Sequence, residues 1–480
     1  MRFGFKYFLL IILISIPLFS SLDKLPIVVW DEARLANNAY EMLHNHNFIV
    51  TYYDGKPEMW NTKPPFMIWM QVLSMKIFGI NELAVRLPSA MAGFFTILFL
   101  FIFSIKYLKN FWFGFIASLV LVTSAGYVSY HSTRTGDYDA LLAFFTTLSG
   151  ISYFLYIDSN KNKYLDYFFL FIILGALTKG INALLFLPGI FIYTIYQKKI
   201  VRTIRNRHFY YGLIAFIVTV GGYYLLRESL NPGYLQAVWK NELGGRYFKV
   251  NEGHNEGILY YYRHLPGYHY ARWFVFLVLG AILGFFIKDI KMRKIAIYST
   301  LMSSSFFLVI SLAKTKLTWY DVPLYPYFAI MTSVLIYFLF DFFKNWEYGN
   351  KKLSTNVLPY LLLFLFFYMP YKEILHKSIE PKYSSDRENY YNLSDFLRNS
   401  GNKFDINHYK IAYKWYNGHI LFYINQLKDK GIDVSFTDLK NLKKGDRIIT
   451  IDDTTIDELN KNYKCKIVGK DGVIRVFEIE

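Results

Sequence analysis

A single cysteine, Cys465, stands in the 480 residues of this chain. That excludes an internal disulfide and a zinc site built from several cysteines. Charge is scarce as well: Asp, Glu, Lys and Arg make up 19% of the chain, against about 25% in an ordinary soluble domain. Among the ten histidines, His44 and His46 are two residues apart and so do not share a helix face, which leaves no dependable metal site in their spacing. No small-x-small cleavage site follows the apolar start, since Leu22-Asp23-Lys24-Leu25-Pro26 is a poor substitute; an uncleaved first helix is expected. No internal repeat of fixed period is visible. The formal charge of +17 is dispersed between apolar runs rather than gathered in a patch, so a nucleic-acid partner is not expected.

What is abundant is apolar surface. Hydrophobic residues make up 54% and aromatic residues 20%, clustered in runs long enough to cross a bilayer, which takes about 20 residues. Eleven spans are read at roughly 5–22, 83–105, 111–130, 139–157, 165–178, 181–197, 208–226, 270–287, 295–313, 321–343 and 355–371. Alternate loops then fall on opposite sides. One set carries Arg2 and Lys6, Lys106 and Lys109, Lys161 and Lys163, the Lys198–Arg207 cluster, Lys288–Lys294, and Lys344 with Lys351 and Lys352. This set is cytoplasmic by the positive-inside rule. One misplaced span would reverse the pattern partway along, whereas two would not, so the count is eleven or thirteen.

The opposite loops, at about 23–82, 131–138, 179–180, 227–269 and 314–320, include two long ones rich in Trp, Tyr, Gly, Asn and acidic residues. Long loops of this kind tend to carry function, which places the work of the protein outside the cytoplasm. Residues 1–371 form the membrane domain. Residues 372–480 have the composition of a small soluble α/β domain on the outer side, with a helix near Tyr390–Asn399 and strands at Lys410–Tyr413, Arg447–Ile451 and Val473–Ile479. This domain contains no catalytic motif.

Candidate chemistry lies in the outer loops. Asp31 and Glu32 follow directly on the first span, where two carboxylates are costly to desolvate without a role. Their plainer reading is a helix start, Asp31 capping and Glu32 favouring the dipole, ahead of an amphipathic Ala33–Leu43. Capping does not exclude catalysis. Lys63 precedes Pro64 and Pro65, which force an extended turn. Alone it is an interfacial anchor; beside a carboxylate pair it is a candidate phosphate partner. Arg134-Thr135-Gly136-Asp137-Tyr138-Asp139 has Asp-x-Asp spacing, which can hold a divalent cation or divide acid and base duties. It reads equally as a helix cap tethered to Arg134. Lys179 interrupts an apolar stretch and must pair or contact an anion. Glu242, Arg246 and His254 belong to a glycine-rich aromatic segment that is as well read as a gating loop or an irregular surface loop. Lys314, Lys316 and Tyr320 put positive charge on the outer interface, against the rule that orients the rest, and favour an anionic ligand.

Five strings, WDEARLANNAYEML, TKPPFMIWMQVLSMKIFGINELAVRLPSA, RTGDYDALLAFF, LGALTKG and KTKLTWYDVPLYPY, follow one another across roughly residues 28–330. In this order they resemble the membrane glycosyltransferases related to lipid A aminoarabinose transferase and protein O-mannosyltransferase, enzymes of the GT-C fold. The resemblance implies a mainly α, polytopic helical membrane protein with a small C-terminal α/β domain. It implies transfer of a hexosyl- or pentosyl-type sugar from a polyprenyl-phosphate donor to a lipid, protein or glycan acceptor. The family's acidic pair maps to Asp31 and Glu32, its lysine before two prolines to Lys63, and the acidic residue heading the fourth span to Asp139, with Asp137 beside it. The compact C-terminal end departs from the longer one of the aminoarabinose enzymes.

The expected mechanism is one inverting displacement. Asp31, with Glu32 and Asp139 as the other catalytic candidates, takes the proton of the acceptor hydroxyl. Lys63, with Lys179, Lys314, Lys316 and Arg134, stabilises the departing lipid phosphate. Asp137, Glu242, Arg246, His254 and Tyr320 line the cavity. No cofactor is required, with a divalent cation on Asp137 and Asp139 as the option. The protein is expected in the plasma (inner) membrane among its lipids, amino terminus inside and C-terminal domain outside. The competing reading is a flippase of lipid-linked sugars; transporters place their charges near mid-membrane, whereas here the charges sit at outer span ends.

Overall fold

The computed structural model describes residues 3–244, 253, 256–346, 357–383, 388–399 and 405–480. Apolar helices stand at all eleven expected positions. Seven are long and apolar enough to cross a membrane: Glu82–Leu108, Asp139–Ser159, Asn162–Leu184, Arg207–Leu230, Ile290–Leu312, Thr318–Asn345 and Leu358–Ile379. Four shorter ones, Gly4–Phe19, Phe111–Val122, Leu187–Tyr196 and Phe274–Gly284, occupy the remaining positions. Helices suit these runs because a backbone in lipid must satisfy its own polar groups. Several starts are fixed by side-chain caps: Asn81 accepts from the Ala84 amide, Asn110 from Phe113 and Asp289 from Met292.

Burial sorts the helices. Asp139–Ser159 is 89% buried along its most apolar window and forms the centre, whereas Arg207–Leu230 is 11% buried. The latter exposes Ile214, Val218 and Leu225, the kind of apolar face that a bilayer covers. The main core joins the first helix to the helices around Phe154, Tyr298, Met302 and Tyr327.

Some boundaries differ from expectation. The third span ends at Val122 rather than 130, because Thr123 and Ser124 turn their hydroxyls back onto the Leu119 and Val120 carbonyls. The last apolar helix runs through Tyr371 to Ile379. The loop between the first two spans, expected on the outer side and called the first outer loop for that reason, is itself structured. It contains the helix Asp31–Asn45, a hairpin of β1 (Tyr52–Tyr53) and β2 (Lys56–Pro57), and the apolar helix Phe66–Phe78. Asp54 and Gly55 between the strands both have positive φ, the requirement of the tightest hairpin turn.

The C-terminal sheet has five strands: β3 (Tyr409–Ile411), β4 (Val434–Phe436), β5 (Arg447–Thr450), β6 (Cys465–Asp471) and β7 (Ile474–Ile479), in the order β4-β3-β5-β7-β6. Strands β4, β3 and β5 run parallel, and the β7 pairings are antiparallel. Expectation missed β4 and β6. The domain sits on the first outer loop. Ala33, Ala36, Ile68 and Val72 share a core with Ile420, Phe422 and Tyr423, and the Tyr423 hydroxyl donates to Glu82 and accepts from the Ile27 amide.

Candidate active site

The helix Asp31–Asn45 starts from Trp30, whose backbone is at φ 75°, ψ −112°, a region normally left to glycine. Successive residues on a helix point about 100° apart, so the adjacent carboxylates diverge. Glu32 is fully buried. It takes Nε and Nη2 of Arg86 at 2.8 and 3.0 Å and accepts the amides of Val28 and Gly136 at 2.7 and 2.8 Å. The other guanidinium bonds of Arg86 go to the carbonyls of Leu22, Leu25 and Pro26. Expected among the catalytic residues, Glu32 is instead a tie, with every oxygen saturated and no face toward the cleft. It fastens the first outer loop to the second at Gly136. There a Cβ would stand 2.8 Å from the Val85 carbonyl and 2.5 Å from its side chain, which reserves the position for glycine. Asp31, 54% exposed, carries the accessible carboxylate of the pair.

The second outer loop splits its two aspartates. Asp137 faces His131, whose Nδ1 lies 3.4 Å away and 4.0 Å from Asp31. The Thr135 hydroxyl donates to Asp137 and accepts from the His131 amide. Burial works against charge on His131, but the neighbouring carboxylates of Asp137 and Asp31 outweigh it and hold the imidazole above its ordinary range. Burial would raise Asp137, yet His131 and the Thr135 hydroxyl hold it low. Asp139 turns the other way, to the Lys179 ammonium at 2.5 Å. The two aspartates thus hold different partners, with Tyr138 between them hydrogen-bonded to Asn61 at the start of the helix. The three carboxylate and imidazole atoms that do converge, within 4.8 Å, belong to Asp31, His131 and Asp137.

Lys63, Asp139, Lys179, Asn182, Glu242, Thr315 and Tyr320 give the polar lining of a narrow cleft, with Leu142, Phe306 and Ile310 in its apolar wall. Lys63 pairs with Glu242 at 3.1 Å and lies over the Tyr138 ring. Lys179 lies over Tyr320. Tyr320 belongs to a short 3-10 helix, Thr318–Leu324, that sends three successive side chains to three places. Trp319 stacks on His131 with ring centres 3.6 Å apart. Tyr320 faces Lys179. Asp321, buried, takes His269 Nδ1 at 3.1 Å and the Tyr325 hydroxyl at 3.1 Å.

Three expected phosphate ligands are not at the cleft. Arg134 is spent on the carbonyls of Pro17, Leu18, Ser20 and Ser378, tying the first and last helices to the second loop. Lys316 is buried on the Ala313 and Glu256 carbonyls. Lys314 is exposed and does not line the cleft. Arg246 and His254 lie outside the described residues. Sequence reasoning passed over His131, which has no histidine or cysteine at ligand spacing; its partners come from residues 6 and 100 positions away.

Residues 62–223 match the family described as dolichyl-phosphate-mannose-protein mannosyltransferase, a segment that holds Lys63, His131, Asp137, Asp139 and Lys179. Over its whole length the chain superposes on ArnT from Cupriavidus metallidurans, solved bound to undecaprenyl phosphate, with TM-score 0.72 at 16% identity, covering 99% of this chain and 98% of that one. The chain has the GT-C glycosyltransferase fold. Sequence relatives agree. An uncharacterised Aquifex aeolicus protein is 25% identical over 68% of this chain. The undecaprenyl phosphate-alpha-4-amino-4-deoxy-L-arabinose arabinosyl transferase of Shewanella sediminis is 28% identical over 67%. The chain spans 63% and 57% of the lengths of these two relatives. Within the GT-C fold, the cleft between the first two outer loops and the Thr318–Leu324 turn is the candidate active site.

Proposed function

We propose that this protein transfers a hexose or pentose from a polyprenyl-phosphate donor to an acceptor on the extracytoplasmic face, by one inverting displacement. The observation that carries the reading is the exposed Asp31 carboxylate next to a cleft whose two lysines, Lys63 and Lys179, each hold a carboxylate that a phosphate can replace. The acceptor oxygen bonds to the anomeric carbon as the bond from that carbon to the phosphate oxygen breaks. The acceptor proton passes to Asp31, and the electron pair leaves with the lipid phosphate, whose charge the lysines meet. The lipid tail lies along the apolar wall. The outer face follows from the basic loops on the other side. Charges placed at helix ends, Asp139 first in its helix and Lys179 last in its own, fit a transferase rather than a transport path. The acceptor is a lipid, protein or glycan.

The test is transfer of labelled sugar from polyprenyl-phosphate donors in membranes carrying wild type, Asp31→Asn or Lys63→Ala. Release of free polyprenyl phosphate by wild type, lost in both folded variants, supports the reading. A wild type inert with every donor that nonetheless moves lipid-linked sugar across vesicles, equally well as Asp31→Asn, would replace it with the flippase. A second reading of one cluster concerns a divalent cation, for which Asp31, His131 and Asp137 offer three converging donor atoms. If a cation belongs there, EDTA abolishes turnover and a divalent ion restores it; turnover indifferent to EDTA discards it.

A further inference from the structure

Outside the cleft, on the far side of Asp31, the structure holds an aromatic wall that the transfer reaction does not itself use. Trp30 is 60% exposed, yet its backbone is held in the mirror image of an extended conformation, which a glycine would occupy without strain. A large apolar side chain kept in such a position, exposed, and adjacent to the reactive carboxylate calls for a use. Its ring stacks on Tyr416 of the C-terminal domain, centres 4.3 Å apart and 20° from parallel, and the Tyr416 hydroxyl donates to the Trp30 carbonyl. One turn along the same helix, Arg34 lies over the Tyr53 ring at 4.4 Å and forms a two-bond fork with Glu58 at 2.7 and 3.0 Å. Asp31 follows Trp30 in the chain and turns its carboxylate toward His131, 4.0 Å from Nδ1, in the loop that leads to Asp139 of the cleft.

We propose that Trp30 and Tyr416, with the Arg34–Glu58 fork, bind a neutral pyranose ring of the acceptor and present its hydroxyl to Asp31. The chemistry follows from the groups. The negative face of an aromatic ring receives the polarised C–H face of a sugar. A few fixed polar groups beside aromatic walls are the usual make-up of a small-molecule site, and here they can donate to and accept from hydroxyls. Arg34 is held by two bonds to a buried Glu58 that also takes the Trp60 amide, so, unlike the lysines of the cleft, it is fixed to its partner and favours a neutral ligand over a phosphate or carboxylate. A tryptophan of the membrane belt would face lipid; this one is covered on one side by the soluble domain. The inference rests on the transferase reading and sharpens it: the acceptor carries sugar, and the C-terminal domain takes part in choosing it.

The test uses the full chain in nanodiscs, with methyl glucopyranoside, mannopyranoside and galactopyranoside as probes in saturation-transfer NMR, and undecaprenyl phosphate and undecaprenyl-phosphate-glucose as lipid probes. Wild type is expected to saturate the ring protons of at least one glycoside. Trp30→Gly, which relieves the backbone, is expected to melt no lower than wild type and to bind that glycoside at least fivefold more weakly. Trp30→Phe is expected to retain binding. Both lipids should bind Trp30→Gly as they bind wild type. Loss of affinity for undecaprenyl-phosphate-glucose alone would assign the wall to the donor sugar and overturn the acceptor site. No glycoside bound, or binding indifferent to Trp30, with undecaprenyl phosphate still bound, overturns the wall and leaves the transferase. Glycoside binding that depends on Trp30 in a protein that binds no undecaprenyl phosphate overturns the transferase instead.

Discussion

Two neighbouring charge clusters, the tie at Glu32 and Arg86 and the cleft at Lys63 and Lys179, use the same residue types to opposite ends. In the tie, one carboxylate and one guanidinium meet each other and then five backbone groups. In the cleft, each lysine is met by one carboxylate and one aromatic face, with space beside it. A charge whose bonds are all filled by backbone holds chain segments together. A charge met by one exchangeable carboxylate is ready for a ligand. The contrast teaches that the residue type is less informative than how completely its hydrogen-bonding capacity is filled.

The largest expected effect sets Asp31 against its neighbour. Asp31→Asn should lower turnover by about 10²–10⁴-fold, the usual worth of a general base, with an unchanged melting temperature. If turnover survives, Asp31 does not belong to the cleft, and the contrast fails at its first residue. Arg86→Met should do the reverse: it strands a buried carboxylate and costs about 3–5 kcal/mol of stability, read as poor expression or a lower melting temperature. A well-folded Arg86→Met protein would dissolve the distinction from the other end.

His419 offers a case between the two. It is buried, its Nε2 donates to the Tyr390 carbonyl, and burial brings its pKa down to about 4. The unfolded value is about 6.5. Because the folded value is the lower, the contribution is fully present above about 6.5 and is lost as pH falls toward 4, at about 1.4 kcal/mol per unit. Thermal unfolding of the C-terminal domain should therefore weaken between pH 6.5 and 4, and His419→Gln should flatten that slope. An unchanged slope would mean that other groups govern it. The smallest effect is at Lys63. Glu242→Gln removes its partner and should tighten undecaprenyl phosphate binding about two- to fivefold, within the worth of a partly exposed ion pair. Weaker binding would make Glu242 a positioning group rather than a competitor.

The membrane helices were legible because hydropathy is a property of each segment by itself. The strands β5 and β7 were legible for the same reason, and β3 through the apolar Ile411-Ala412-Tyr413 that ends it, while β4, Val434–Phe436, is flanked by Asp433 and Thr437-Asp438 and β6, Cys465–Asp471, is largely exposed, so neither has an apolar pattern to read. Lys63, Lys179 and Asp139 stood out as charges at the ends of apolar runs. The division between Asp31 and Glu32 did not, since it depends on Arg86, 54 residues beyond Glu32. Arg134 and Lys316 misled for a related reason. Their partners are backbone carbonyls, which every residue has and no sequence pattern marks. His131 needed Asp31 and Trp319, both brought in by the fold.

The Thr318–Leu324 turn has a bearing on how this protein can change over generations. Three residues per turn set successive side chains about 120° apart, and Trp319, Tyr320 and Asp321 use all three directions. Each can be exchanged separately, with damage limited to one partner. Inserting or deleting a single residue between Leu317 and Trp319 would instead rotate the whole set, so that each of the three side chains points where a neighbour's belongs. Lineages of this chain should therefore vary here by substitution and hold the length of the turn constant.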